Sequence, residues 1–179
     1  MPRPRVVIFD LGGVFFHYND DFFTGGDSSG LSAEPEKVKS FFRGEHWYDY
    51  ERGRISSAEF YARVQKELHY PHDYAQFVQD FLMRPNMRLN EEMFEFFLAL
   101  KVKYGDTVMF WALSNINELH YNHLFDRWPG VIYNFLETFL SFRMDCRKPD
   151  PEIYDKMLKT GRMSPYVCLF IDDKKGYKK

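Results

Sequence analysis

A chain of 179 residues, 45% apolar and 28% charged, carries enough material for one well-filled core and is not the composition of a disordered polymer. Its formal net charge of −2 shows no basic excess, so nucleic acid is not an expected partner. No apolar run approaches the roughly 18–20 residues of a membrane-spanning helix, so no membrane partner is expected either.

The start, Met1-Pro-Arg-Pro-Arg5, lacks the apolar stretch and cleavage site of a signal peptide. The only two cysteines, Cys146 and Cys168, suggest no disulfide framework. Both features fit a soluble, cytoplasmic protein. The aromatic share, 19%, leaves three readings open: packing in a helical lobe, a hydrophobic ligand pocket, or codon bias.

Val6-Val-Ile-Phe9 reads as the first strand and ends in Asp10-Leu-Gly-Gly13. Residues 18–95 then read as a helical insertion, too long for one crossover. Thr24 to Gly30 is a loop by composition. Ser32–Phe42 contains a helix with Val38, Phe41 and Phe42 on one face. Ser56-Ser-Ala-Glu59 is a capping box opening an amphipathic helix to about Leu68. Asp73 to Met83 gives another, with Tyr74, Phe77, Phe81 and Leu82 on one side. Asn90 is expected to cap a helix over Glu91–Tyr104, which Gly105 ends.

Thr107–Leu113 reads as the second strand, ending at Ser114-Asn115, followed by a helix over Asn117–Trp128. Thr138–Leu140 is the third strand. In Lys148-Pro-Asp-Pro-Glu152, Asp150 is placed to cap a helix and Pro151 suits its first position. Tyr166–Ile171 is the fourth strand, ending at Asp172-Asp173. Continuous apolar runs suit strands buried on both faces of a parallel sheet, and the helices between them complete an α/β, Rossmann-like core. The expected division is a core over 1–17 and 96–179 with an inserted helical cap over 18–95.

In an open parallel sheet, ligands bind beyond the carboxyl ends of the strands. Asp10, Ser114, Asn115, Lys148, Asp172 and Asp173 all fall there. Three close carboxylates repel unless a cation intervenes, and a hard ion with oxygen ligands, Mg2+ above all, resolves the repulsion. Lys148 adds one positive charge. Ser114 and the amide of Asn115 offer donors to phosphate oxygens, and Gly12-Gly13 lets backbone N–H groups approach a phosphate. Once metal and lysine neutralise the phosphoryl group, a carboxylate nucleophile is chemically reasonable.

These residues resemble a known family. Phe9-Asp-Leu-Gly-Gly-Val14, Leu113-Ser-Asn115, Arg147-Lys-Pro-Asp-Pro-Glu-Ile-Tyr154 and Phe170-Ile-Asp-Asp173 look like the four ordered motifs of the haloacid dehalogenase superfamily. The insert resembles the helical cap of its subfamily I. Tyr50-Glu-Arg-Gly-Arg-Ile-Ser56 resembles the branch that holds sugar-phosphate phosphatases and the N-terminal phosphatase domain of soluble epoxide hydrolase. The likeness runs from Arg5 to Asp173.

The resemblance implies Asp10 as nucleophile and metal ligand, the Gly12 carbonyl as a second ligand, and Asp173 as a direct Mg2+ ligand supported by Asp172. It implies Ser114 and Asn115 as phosphoryl-binding groups and Lys148 as the group steadying nucleophile and phosphate. Trp47, Glu51 and Arg54 are candidates to touch the leaving group, with cap packing as their other reading.

Three departures stand against that pattern. Gly12 occupies the position of the usual second Asp, the general acid and base, whose loss costs roughly 10²–10⁴-fold; water, His17 or Glu51 are the possible substitutes. Tyr177 stands where an Asn is usual. The chain stops at Lys179, about a helix and an edge strand short of the usual core. His120 and His123 are read as a helix surface near the site, and Cys146 as a passive thiol. The expected function is a Mg2+-dependent phosphatase of a small phosphorylated metabolite, such as a sugar phosphate. A weak or inactive binding relative and a 2-haloacid dehalogenase are the alternatives.

Overall fold

The computed structural model describes residues 4–19, 21–25 and 31–174. Tyr177, most of the Thr24–Gly30 loop and most of the Lys-rich tail lie outside them. In chain order the strands are β1 (Val6–Phe9), β2 (Phe16–His17), β3 (Arg88–Leu89), β4 (Met109–Ser114), β5 (Glu137–Leu140) and β6 (Cys168–Ile171). Between β2 and β3 lie α1 (Asp21–Thr24), α2 (Pro35–Phe41), α3 (Glu45–Glu51), α4 (Ser57–Leu68) and α5 (Tyr74–Met83). After them come α6 (Glu91–Tyr104), α7 (Glu118–Arg127), α8 (Pro129–Ile132), α9 (Ser141–Met144) and α10 (Pro151–Gly161).

The main sheet is parallel throughout, in the order β5-β4-β1-β6. From β1 the chain builds outward through β4 and β5, then returns across to β6. That reversal opens a crevice beyond the end of β1. Phe9 pairs with Ala112 on one side and Ile171 on the other, so Asp10 emerges level with the ends of both neighbours.

The central strands β1 and β4 are covered on both faces. Val7 and Phe9 of β1 join Phe110, Ala112, Phe97 and Phe135 in one cluster, while Val6 and Ile8 join Trp111, Leu113, Ile153 and Met157 in another. Successive strand residues point to opposite faces, so a strand covered twice is apolar at every position. Gly161 closes α10 directly over the indole of Trp111; a Cβ there would lie 1.9 Å from Cη2.

Helices α1 to α5 build their own cluster from Phe22, Val38, Phe41, Phe42, Tyr50, Phe60, Phe77 and Phe81. Much of the aromatic excess is therefore packing: Tyr50 stacks on Phe60 at 4.4 Å and Phe77 on Phe81 at 5.2 Å. The Ser56–Glu59 capping box forms as expected, and Asp73 and Asn90 cap α5 and α6. The buried stripe of α5 is Phe77, Asp80 and Phe81, whereas Tyr74 is exposed.

Three local expectations are corrected. Asp150 precedes α10 but makes no capping bond; its carboxylate instead accepts from Arg52 at 3.0 Å. Pro165–Val167 is a 3-10 turn, so the last strand begins at Cys168. Thr107 and Val108 close the turn after α6, and the second sheet strand starts at Met109. Strand β6 forms a sheet edge with Leu169 about half exposed. Both cysteines are free thiols. No helix among the described residues is long and apolar enough to cross a membrane.

Candidate active site at the strand ends

Lys148 is the centre of the site and is fully buried. Its Nζ lies 2.8 Å from Oδ2 of Asp10 and 2.7 Å from Oδ2 of Asp172. The other oxygen of Asp10 accepts from the Leu11 amide at 2.7 Å, and the Ser114 side chain beside it favours the charged carboxylate. Burial pushes the Asp10 carboxyl above its ordinary range, and the ammonium beside it pulls the other way.

Asp172 has both oxygens engaged, since Oδ1 accepts from the Lys174 amide at 2.8 Å. Asp173 is exposed, and an oxygen from each of Asp10, Asp172 and Asp173 falls within 4.8 Å of the others. Three carboxylates against one lysine leave an excess of negative charge in one spot. The donor set is all oxygen, which fits a hard divalent cation such as Mg2+.

The two glycines after Asp10 differ. Gly13 has φ +73°, and a Cβ there would sit 2.5 Å from Cγ of Asp173, so only glycine lets Asp173 approach. At Gly12 a Cβ would meet only Cε1 of Tyr18 at 3.5 Å, an ordinary contact. Nothing steric requires glycine where an acid/base residue was expected.

Ser114, at the end of β4, is buried beside Asp10. Asn115 plays a different part from the one expected of its amide. Its Nδ2 donates to the Lys148 carbonyl at 2.8 Å, and its Oδ1 accepts the Lys148 N–H at 2.7 Å. The carboxamide thus fixes the backbone that carries the buried ammonium.

A cavity of about 580 Å³ opens over these strand ends. Asp10, Gly12, Ser114 and Asn115 line it from the sheet, and Phe23, Phe42, Trp47, Tyr48 and Glu51 from the helical side. Trp47 and Glu51 are therefore at the cavity. Arg54 is not: after α3 the chain turns at Gly53, φ +73°, and the exposed Arg54 pairs with Asp145. His17 is exposed on the β2–β3 ribbon and does not line the cavity.

Three lining groups were not anticipated. Arg147 donates from Nε to Glu51 at 2.8 Å, and its guanidinium lies 4.1 Å from the ring centre of Tyr48. Burial raises the Glu51 carboxyl, with Arg147 opposing. Asn117 and His120 form the third side. His120 was expected on a helix surface, but it is buried and stacked on Phe81 at 4.3 Å. Its Nδ1 pairs with Nδ2 of Asn117 at 2.9 Å and its Nε2 with the Phe81 carbonyl at 3.1 Å. Burial lowers its pKa to about 4, so the ring is neutral near pH 7. Both nitrogens are occupied, which removes the His-x-x-His spacing as a metal site. Burial pushes the Cys146 thiol up, in keeping with an inert sulfur.

The carboxylate–lysine centre thus stands at the topological reversal of a parallel α/β sheet. No protein-family model matches the chain. The sesquiterpene phosphatase astK of Aspergillus oryzae is 28% identical over 95% of this chain and 81% of its own length. The drimenol cyclase drtB of Aspergillus calidoustus is 25% identical over 94% of this chain, which spans only 30% of that protein. A HAD-family enzyme from Bacteroides thetaiotaomicron, solved with magnesium and inorganic phosphate, superposes with a TM-score of 0.80 at 21% identity, over 97% of this chain and 87% of that one. The fold is that of the haloacid-dehalogenase-like hydrolases, as the four motifs had indicated.

Proposed function

We propose that the chain is a Mg2+-dependent phosphatase that hydrolyses a small phosphate monoester through Asp10. The observation that carries this is the buried Lys148 held between Asp10 and Asp172, with Asp173 completing a carboxylate cluster beside a cavity. The similarity to astK, a phosphatase by name, and the magnesium and phosphate found in the Bacteroides enzyme support the same reading.

In this reading residues 18–95 act as the cap. A carboxylate oxygen of Asp10 attacks phosphorus, the phosphorus–oxygen bond to the alcohol breaks, and the leaving oxygen takes up a proton. Water then cleaves the aspartyl-phosphate, releasing inorganic phosphate and restoring Asp10. Lys148 and Ser114 hold the carboxylate and phosphoryl oxygens in place. Asp10, Asp173 and the Gly12 carbonyl would hold Mg2+, with Asp172 in support; when bound, the ion neutralises charge on the phosphoryl oxygens. Gly12 cannot move a proton. Of the two side chains weighed for that task, His17 is away from the cavity, whereas Glu51 faces it with its carboxyl raised by burial.

The substrate is a small phosphorylated metabolite. Sugar phosphates are one class, and the astK name puts terpenoid phosphates beside them. The two free thiols fit a reducing, cytoplasmic setting. Gly12 favours one second reading, a slow or non-catalytic phosphate-binding relative.

The test is phosphate release from an aryl phosphate with Mg2+ and with a chelator. Release is expected only with Mg2+, and Asp173→Asn is expected to raise the Mg2+ concentration needed at least about tenfold, the scale on which metal-site residues act. Equal release in chelator would overturn the metal-dependent reading.

A further inference from the structure

Resting on the phosphatase reading, we infer that the leaving group is a bulky hydrocarbon alcohol rather than a sugar. Away from Lys148 the apolar part of the cavity wall is Phe16, Phe23, Phe42, Trp47, Met87 and Leu124, set beside Tyr18, Thr24 and Arg43. Ligand cavities of roughly 300–1,000 Å³ accommodate drug-sized molecules, and this one, at about 580 Å³, has room for far more than a phosphate.

Several of the polar side chains in that wall are matched to one another, while the exposed Arg43 lines its outer part. Glu51 is satisfied by Arg147, and the Arg147 guanidinium is laid on the face of Tyr48. Asn117 spends its oxygen on the His120 amide and its nitrogen on Nδ1 of the same ring. His120 gives its remaining nitrogen to the Phe81 carbonyl. It presents a neutral ring to the cavity, stacked on Phe81 and edge-on to Phe23.

A hexose brings several hydroxyls, each giving up bonds to water on entry. Against the Glu51–Arg147 and Asn117–His120 side of the wall, regaining them means breaking pairs that are already made. A hydrocarbon asks only for apolar surface, which the phenylalanines, Trp47, Met87 and Leu124 supply. Phosphate chemistry at the strand ends and an aromatic wall under the helices together fit the monophosphate of a long-chain or isoprenoid alcohol.

The experiment is a series of straight-chain alkyl phosphates from ethyl to decyl, each below its micelle-forming concentration, set against glucose 6-phosphate and an aryl phosphate. On the full-length chain with Mg2+, kcat/KM is expected to rise up to about fourfold per added methylene until the chamber is filled. Decyl phosphate should then exceed glucose 6-phosphate by at least about 100-fold. Trp47→Gln should reduce the preference for decyl over ethyl phosphate. A flat series, or a preference for glucose 6-phosphate, would overturn the inference while aryl phosphate hydrolysis left the phosphatase reading standing. If no ester is hydrolysed, the phosphatase reading fails, and calorimetric binding decides the chamber's chemistry. Tighter binding of decyl phosphate than of glucose 6-phosphate supports a hydrocarbon ligand, and the reverse order contradicts it.

Discussion

Asp10→Asn is expected to lower phosphate release on the order of 10⁴-fold or more, as removal of a nucleophile does elsewhere, while the protein stays folded. Asparagine has the shape of aspartate. Its oxygen can keep the bond from the Leu11 amide, now 2.7 Å, and Lys148 retains its 2.7 Å contact with Asp172. What is lost is the charged oxygen that attacks phosphorus, and an amide does not replace it. Stability should change little, because the carboxylate removed is one whose burial already disfavours its charge. Initial rates on an aryl phosphate and thermal unfolding of the same preparation check both halves. A variant that keeps more than about a hundredth of the wild-type rate would remove Asp10 from the reaction, since even a lone acid/base group accounts for roughly 10²–10⁴-fold.

Lys148→Met should damage both activity and the fold. The ammonium is fully buried between two carboxylates, and methionine fills similar space without charge. Breaking a buried ion pair from one side typically costs about 3–5 kcal/mol, because the partner charge is left in a poorly solvating environment. Here two partners are left. The rate should also fall about 10²–10³-fold, the scale seen when one group stabilising a developing anion is removed. Urea unfolding checks the first claim: the variant should lose stability in chelator and regain part of it in Mg2+, which takes over some of the neutralisation. Equal stability of variant and wild type in chelator would mean that Lys148 does not hold the cluster together.

Much of this arrangement is legible in the sequence, for a physical reason. Strands covered on both faces must be apolar at every position, so Val6–Phe9 and the run ending at Ser114 stand out against the polar residues that follow them, and the less covered run ending at Asp172 is apolar too. A parallel sheet then sends all those polar ends to one rim, which brings Asp10, Ser114, Lys148 and Asp172 together. Capping is largely local: Ser56 and Asn90 cap as their spacing says, whereas Asp150 is drawn away by Arg52.

What was hidden depends on tertiary approach. Helix α3 is preceded by Gly44 at its N-cap, which offers no capping side chain, and its Glu-His-Trp-Tyr-Asp-Tyr-Glu run shows no clean apolar period. Glu51 and Arg54 look alike in sequence as charged cap residues. A turn at Gly53 nonetheless sends one into the cavity and the other to the surface. The pairing of Glu51 with Arg147 joins residues 96 positions apart, and His120 is buried by α5 rather than by its own helix. Asn115 carries a motif signal, but only the folded chain shows its carboxamide clasping the Lys148 backbone.

The central claim is that phosphate passes through Asp10. The most direct measurement is to mix the full-length chain with a phosphate ester and Mg2+, quench in acid within the first turnover, and locate the phosphoryl group by peptide mass spectrometry. One phosphoryl group on the peptide that contains Asp10, absent in chelator and absent in Asp10→Asn, is the expected result. Turnover with no phosphorylated Asp10 peptide at any quench time, or the same phosphopeptide from Asp10→Asn, would contradict it.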